Sequence, residues 1–496
     1  MFFLTLALFA LGVSCSPEEQ QSSEEIPVQA TTAETAVIDT YTEIPTQTLQ
    51  AVVTETTTTT AESTTTETTT TATTSNIIKG NIYDTNGYLL MYTAKGEDGK
   101  MKRKVNAEYA VPFANIITEM SDGYDKHFND ILSKPASPDS KRGQSIQLTI
   151  DADVQTDIYN YMESMNIEGS AVVMRTDGSI VAQVSYPSYD PDKVKSQEYD
   201  EELAWGEYGN KAFQNFEPGS CFKIMSEVIS DKHGIYSVYD DGEWTDEGAT
   251  IVNWDHDTNM SYPIPDRNLY SAFTSSSNIF FAKAFDQIGQ EDVLFDLDYM
   301  FSFISGIECD FGSIHNNIKI TCADDLRRSA FGQAYVLTCP IYLAALGREA
   351  VFGDMVEPFV IQNIVDSENP KKILRNGTAP NQTVASIPVE YRQNLLDGML
   401  GVASGLAVYP NGNYTFYAKT GTAETWKGDF LYITGCICNP YDVAGSTYNY
   451  DTYKSDGGSY TIVMQIRNPE DHGFEYASES GTYYTGIVNA VLANQN

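Results

Sequence analysis

Histidine is nearly absent from this chain: five in 496 residues, at His127, His233, His256, His315 and His472, each standing alone. Isolated histidines build no zinc site, and Cys436-Ile437-Cys438 has one residue between its cysteines where Cys-x-x-Cys sites have two. The same scarcity disfavours a Ser-His-Asp hydrolase. Basic residues are also few. Thirty Lys and Arg stand against 68 Asp and Glu, a net charge of -38, which excludes a protein that tracks nucleic-acid phosphates. Long apolar runs are missing too. The stretch Phe2 to Val13 is almost wholly apolar but falls short of the roughly twenty residues that a membrane-spanning helix needs.

What the chain does contain divides it into four parts. Residues 1–15 read as an export signal, and Gly12-Val13-Ser14-Cys15 approximates a lipobox in which Cys15 becomes a lipidated N-terminus. Gly12 stands where Leu is usual, and no Lys or Arg precedes the apolar run. Residues 16–75 are mostly Thr, Glu, Ala, Ser and Pro, with threonine runs at Thr56 to Thr60 and Thr68 to Thr71. Such a composition buries too little apolar surface to offset the entropy of ordering and predicts a disordered tether. About sixty flexible residues reach on the order of 40 Å. Residues 76–145 predict a small α+β pedestal, in which Ile77 to Tyr83 and Leu89 to Tyr92 flank the hairpin signal Thr85-Asn86-Gly87-Tyr88.

Residues 146–496 alternate strand and helix patterns, an α+β class. Ala171 to Met174 and Ile180 to Val184, around Thr176-Asp177-Gly178, read as a half-buried antiparallel pair. Strands are expected at Tyr414 to Thr420, Phe430 to Cys438 and Tyr460 to Arg467. Helices are expected at Asp325 to Leu346, Glu390 to Val402 and Ser480 to Leu492, the last lying on the sheet. Charge runs such as Asp240-Asp241-Gly242-Glu243 read as solvated loops. The cysteines read as buried small hydrophobes, with a Cys309–Cys322 pairing open. The tyrosine surplus suits either an exported surface or a glycan or peptide groove.

Three short motifs carry the chemistry. In Glu217-Pro218-Gly219-Ser220-Cys221-Phe222-Lys223 a turn runs into a helix-compatible segment and sets Lys223 one turn beyond Ser220, on the same face. An amine kept neutral by burial or by a second cation can take a proton from a serine hydroxyl. Alone, Ser-x-x-Lys is most often an ordinary solvated pair. Here it is followed by Ser276-Ser277-Asn278, then by Lys419-Thr420-Gly421-Thr422. Ser-x-x-Lys, Ser-x-Asn and Lys-Thr-Gly in this order are the set of the penicillin-recognising acyl-serine enzymes.

The chain resembles class B penicillin-binding proteins, the D,D-transpeptidases that cross-link peptidoglycan. Lys79-Gly80-Asn81-Ile82-Tyr83-Asp84-Thr85-Asn86-Gly87 is similar to the family's opening motif, and Leu148-Thr149-Ile150-Asp151 to the start of its catalytic domain. Asn210-Lys211-Ala212 and Gly332-Gln333 are similar again. The resemblance implies a transpeptidase fold, an antiparallel sheet with helices packed around it. It implies Ser220 as nucleophile, Lys223 as base, Ser276 as proton relay and Asn278 as a partner of the substrate amide. Lys419 would supply positive potential, Thr420 and Thr422 would bind the substrate carboxylate, and Gly421 would leave room for a ligand along the strand. The backbone N–H groups of Ser220 and Thr422 would form the oxyanion hole.

Stem peptides ending in D-Ala-D-Ala, amine acceptors and β-lactams are the implied partners, with no cofactor and no metal. The pedestal leaves no room for a glycan-polymerising domain, so polymerisation would come from a separate protein. Cys221, Ala418 and Thr338-Cys339-Pro340 depart from the common family residues without removing a reacting group. A D,D-carboxypeptidase differs too little in sequence to separate. A serine β-lactamase is disfavoured because no Glu-x-x-Leu-Asn follows the Ser-x-Asn motif. A β-lactam sensor or an inactive cell-wall scaffold is the non-enzymatic alternative, and the sensor would need spanning helices or a signalling domain. The expected location is the outer face of the bacterial cell membrane.

Overall fold

The computed structural model describes residues 77–118, 123–194, 208–246, 248–411, 414–425, 428–439 and 458–494. Cys15, the export segment and the Thr-rich tether lie outside the described residues.

Apolar β-branched runs pair into a five-stranded antiparallel sheet. Its spatial order is Thr415–Ala423, Phe430–Cys438, Tyr460–Arg467, Gly169–Arg175 and Ile180–Tyr186. The last two strands are buried along both faces rather than half-buried, because helices cover the sheet on each side. Gly347, in helix Pro340–Phe352, faces Thr434 and Thr461 closely enough that an added Cβ would meet their methyls at 2.8 and 3.0 Å. On the opposite face the Tyr484 hydroxyl, from helix Gly481–Ala493, donates to Ile462 O at 3.0 Å and sits against Gly435.

A second sheet has six strands in the order Ile373–Asn376, Ile361–Val365, Ser145–Leu148, Ile82–Tyr83, Leu89–Lys95 and Met101–Val105. The opening motif ties its hairpin to the catalytic region. Asp84, fully buried, accepts from Asn86 N, Tyr88 N and, at 3.1 Å, Ala152 N. Asp151 caps helix Ala152–Ser164 through Asp153 N and Val154 N, and it also accepts from the Asn86 side chain at 3.1 Å. Two motifs separated by more than sixty residues thus share one hydrogen-bonded corner.

The helix expected over Asp325 to Leu346 is instead two, Ala323–Ser329 and Pro340–Phe352. Pro340 lacks the N–H that helix continuation requires and starts the second helix. The intervening chain braces the site. Phe216 and Thr338 exchange backbone hydrogen bonds of 3.0 and 2.9 Å. Gly332, at φ +73°, comes so close to the Gly219 carbonyl that a Cβ would lie 2.2 Å from its oxygen.

Candidate active site

Ser220 sits in a single 3-10 turn, Gly219–Phe222, that leads directly into helix Lys223–Lys232. Gly219 holds φ +52°, and a Cβ there would stand 2.2 Å from Thr422 O. Glycine at this point lets the serine turn lie against the strand Thr415–Ala423. Ser220 and Thr422 are therefore neighbours despite some two hundred residues between them.

The second motif bends between helices Leu269–Thr274 and Asn278–Ile288. Ser276 adopts φ +58°, a left-handed conformation uncommon for a residue with a side chain. Ser277 caps the following helix, its Oγ accepting from Phe280 N at 3.0 Å. The third motif lies on the sheet's edge strand, where Lys419 reaches the Ser276 hydroxyl at 3.0 Å and Thr420 O at 2.9 Å.

The three motifs converge on the Lys223 amine. Its Nζ lies 2.9 Å from Ser220 Oγ, 2.7 Å from Ser276 O, 3.2 Å from Ser276 Oγ and 2.7 Å from Asn278 Oδ1. Asn278 donates from Nδ2 to Val252 O at 2.9 Å, which turns its amide oxygen toward Lys223. Lys223 is fully buried, and burial holds its amine well below the ordinary lysine range, assisted by the positive charge of Lys419. Lys419 is pushed down to about 8, by burial. A neutral amine has two N–H donors and one lone pair. The carbonyl of Ser276 and the amide oxygen of Asn278 can only accept, so they take the two donors and leave the lone pair for the Ser220 O–H. This is the arrangement of a hydroxyl poised for deprotonation by an amine.

Ser220, Ser276, Asn278, Thr420, Gly421 and Thr422 line a cleft of about 910 Å³, with Lys223 and Lys419 fully buried. Gly421, in the cleft lining, is also packed from the other side. A Cβ there would meet Pro218 O at 2.7 Å and Cys221 N at 2.9 Å, so its small size permits the serine turn to pack on the strand. Cys221 is buried at this same contact, its thiol 3.5 Å from Lys419 O. A larger neighbour would push the turn away.

Sequence reading missed the support beneath the second motif. Asp240, read as part of a solvated run, is fully buried and pairs with buried Arg267 at 2.6 Å. Asp240 also accepts from Ser277 Oγ at 2.7 Å and from Asn253 Nδ2 at 2.9 Å. Asn253 Oδ1 in turn accepts from Asn278 N at 2.7 Å and Ile279 N at 3.1 Å. Arg267 donates to Ser275 Oγ at 2.6 Å. One signal pointed there: on strand Ser237–Asp240 the period of two puts Asp240 on the same inward face as Val238. The cysteines behave more simply. Cys309 and Cys322 are free rather than paired, and Cys436 and Cys438 are buried with their sulfurs 3.4 Å apart. Among the described residues no group of three or more His, Cys, Asp or Glu gathers to hold a metal.

The Penicillin binding protein transpeptidase domain family matches residues 169–490, about two thirds of the chain. The chain belongs to the penicillin-binding protein transpeptidase family. The fold agrees with that of solved penicillin-binding proteins at low sequence identity. The D,D-transpeptidase domain of a peptidoglycan glycosyltransferase from Eggerthella lenta shares 18% identity at TM-score 0.66, over 84% of this chain and 99% of that one. Penicillin-binding protein A from Mycobacterium tuberculosis, solved as an imipenem acyl-enzyme complex, shares 17% at TM-score 0.64, over 84% and 99%. Pseudomonas aeruginosa PBP2, solved in complex with WCK 5153, shares 17% at TM-score 0.63, over 84% and 94%. The class B resemblance read from the motifs thus meets both a family match and a shared penicillin-binding protein fold.

Proposed function

We propose that this penicillin-binding protein cross-links peptidoglycan stem peptides as a serine D,D-transpeptidase, held at the outer face of the bacterial membrane by its N-terminal segment. The observation that carries the reaction is the buried Lys223 amine, within hydrogen-bond reach of Ser220, Ser276 and Asn278. Ser220 Oγ attacks the carbonyl between two D-alanines while Lys223 takes its proton. Ser276, between the two lysines, passes a proton to the departing D-alanine amine. The ester at Ser220 is then attacked by an acceptor amine, which loses a proton to the site and restores the serine. The remaining Asn278 amide hydrogen bonds the substrate, and Thr420, Thr422 and Lys419 take its terminal carboxylate. The backbone N–H groups of Ser220 and Thr422 receive the oxyanion, each donor contributing about 3 to 4 kcal/mol in comparable acyl transfers.

The same attack on a β-lactam leaves a long-lived ester on Ser220. Lipidation at Cys15 and a tether through residues 16–75 would set the catalytic head away from the membrane, and a separate enzyme would supply the glycan polymer. Among the described residues no helix is long and apolar enough to cross a membrane. The full chain, given a D-Ala-D-Ala stem and an amine acceptor, is expected to yield a cross-linked dimer. D-alanine release with no dimer would replace this reading with a carboxypeptidase, and a penicillin adduct that clears within seconds would replace it with a β-lactamase.

The two lysines also set a pH profile. Acylation needs Lys223 neutral and Lys419 charged, so the rate rises with pH through the depressed Lys223 ionisation and falls again above about 8, where Lys419 loses its proton. Stopped-flow acylation by a chromogenic cephalosporin across pH checks this. A rate still climbing at about pH 10, where an ordinary lysine titrates, would sink the free-amine account.

A further inference from the structure

Next to the catalytic cleft runs a second groove of about 730 Å³, which the reaction does not use. The two share Gly401. Its α-carbon faces the Tyr270 hydroxyl and the Thr274 methyl, each 2.7 Å from where a Cβ would stand, and Thr274 itself lines the catalytic cleft. One wall of the groove is a face of helix Val389–Ser404. Asn394, Asp397, Gly401 and Ser404 recur there at spacings of three and four, so they form one stripe along the helix. The other wall carries Tyr236 and Tyr270, 56% and 53% exposed. Leu269 N donates to Tyr236 O at 3.2 Å, which ties the backbone beside Tyr270 to that of Tyr236.

The lining chooses its ligand. Exposed tyrosine rings offer flat apolar faces with a polar edge, and the opposite stripe offers acceptors: the Asp397 carboxylate, the Asn394 amide oxygen, whose Nδ2 donates to Asp231 at 2.8 Å, and the Ser404 oxygen, whose hydroxyl donates to Gly401 O at 2.7 Å. Asn268 at the groove's edge spends its Oδ1 on capping Ser271 N at 2.8 Å and keeps its Nδ2 for other acceptors. Among the described residues no cation lines the groove, and Asp397 adds a negative charge, so an anionic peptide is not suited to it. A neutral sugar polymer is. A pyranose ring has an apolar C–H face for tyrosine and equatorial hydroxyl and N-acetyl groups for the stripe.

We propose that this groove binds the amino-sugar strand of the substrate, seating the glycan beside the cleft that receives its stem peptide. The inference rests on the transpeptidase reading for its substrate, but glycan binding is measured separately from turnover. In the full chain, chitotetraose, a peptide-free β-1,4 N-acetylglucosamine oligomer, is expected to show saturation-transfer NMR contacts that Tyr236→Ala and Asp397→Ala weaken. With a disaccharide-bearing stem the two variants raise KM about five- to tenfold, leaving kcat, the KM of the free stem peptide and labelling by fluorescent penicillin unchanged. Equal KM values for sugar-bearing and sugar-free stems, or variants that affect both alike, would overturn the glycan site. So would binding of a tri-lysine peptide in place of chitotetraose, which would assign the groove to a cationic ligand. Chitotetraose binding lost in the variants, with no turnover of any stem by the wild type, would support the groove while removing the transpeptidase reading.

Discussion

Replacing Ser220 by alanine is expected to abolish covalent labelling by fluorescent penicillin and to lower stem-peptide turnover by on the order of 10⁶-fold, the loss seen when an acyl-enzyme nucleophile is removed. Ser220 Oγ lies in the cleft lining, 2.9 Å from the Lys223 amine, and the neighbouring Thr422 belongs to the strand that would hold the substrate. No second hydroxyl takes its place, because Ser276 Oγ lies between Nζ of Lys223 and Nζ of Lys419, at 3.2 and 3.0 Å. Alanine removes one oxygen at a partly exposed position, so the melting temperature should stay within a few degrees of the parent. A variant that is folded yet still labelled at full rate would move the nucleophile elsewhere.

Lys223→Met is expected to slow acylation by about 10²- to 10⁴-fold, the range attributed to a positioned general base. Methionine keeps much of the buried side-chain volume while removing the amine. The Ser276 carbonyl and the Asn278 amide oxygen each lose a donor at 2.7 Å. Both residues are half-buried in the cleft lining, so the loss of stability stays at or below the roughly 1 to 3 kcal/mol of an unsatisfied buried acceptor. The rate measurement is read against a melting curve for that reason. Single-turnover labelling that falls less than about tenfold would assign the proton to another group.

Much of this site was legible because its chemistry is carried by short local patterns. Ser220 and Lys223 are one turn apart, Ser276 and Asn278 flank a helix start, and Lys419 to Thr422 sit on a strand whose alternation the sequence displays. Most element types followed for the same reason; the exceptions are the run at Asp240, which ends strand Ser237–Asp240, and the helix pattern that ran through Gly332 and Pro340. There the tertiary fit of the serine turn against residues 331–339 decided the break.

Local pattern says little about a residue whose partner is distant. Gly421 reads as space for a ligand, yet its neighbour is the serine turn some two hundred residues earlier, because strand and turn pack there. Asp240 reads as solvated, yet it anchors the second motif through Arg267, Asn253 and Ser277. Strand alternation with Val238 is the one local mark of its burial, and an acidic residue in an acidic chain shows no more until its cation is placed beside it.

The sequence by itself determined the order of the three motifs and the α+β class, and singled out the side chains that the structure brings together, since each depends on residue type and short-range spacing. Only the tertiary structure decided that Lys223 is buried beside Lys419, that the serine turn packs on Gly421, and that a tyrosine-lined groove adjoins the cleft. Lys223 meets Asn278 across 55 residues and Lys419 meets Ser276 across 143. Burial and electrostatic fields act through space, and the distance along the chain does not record them.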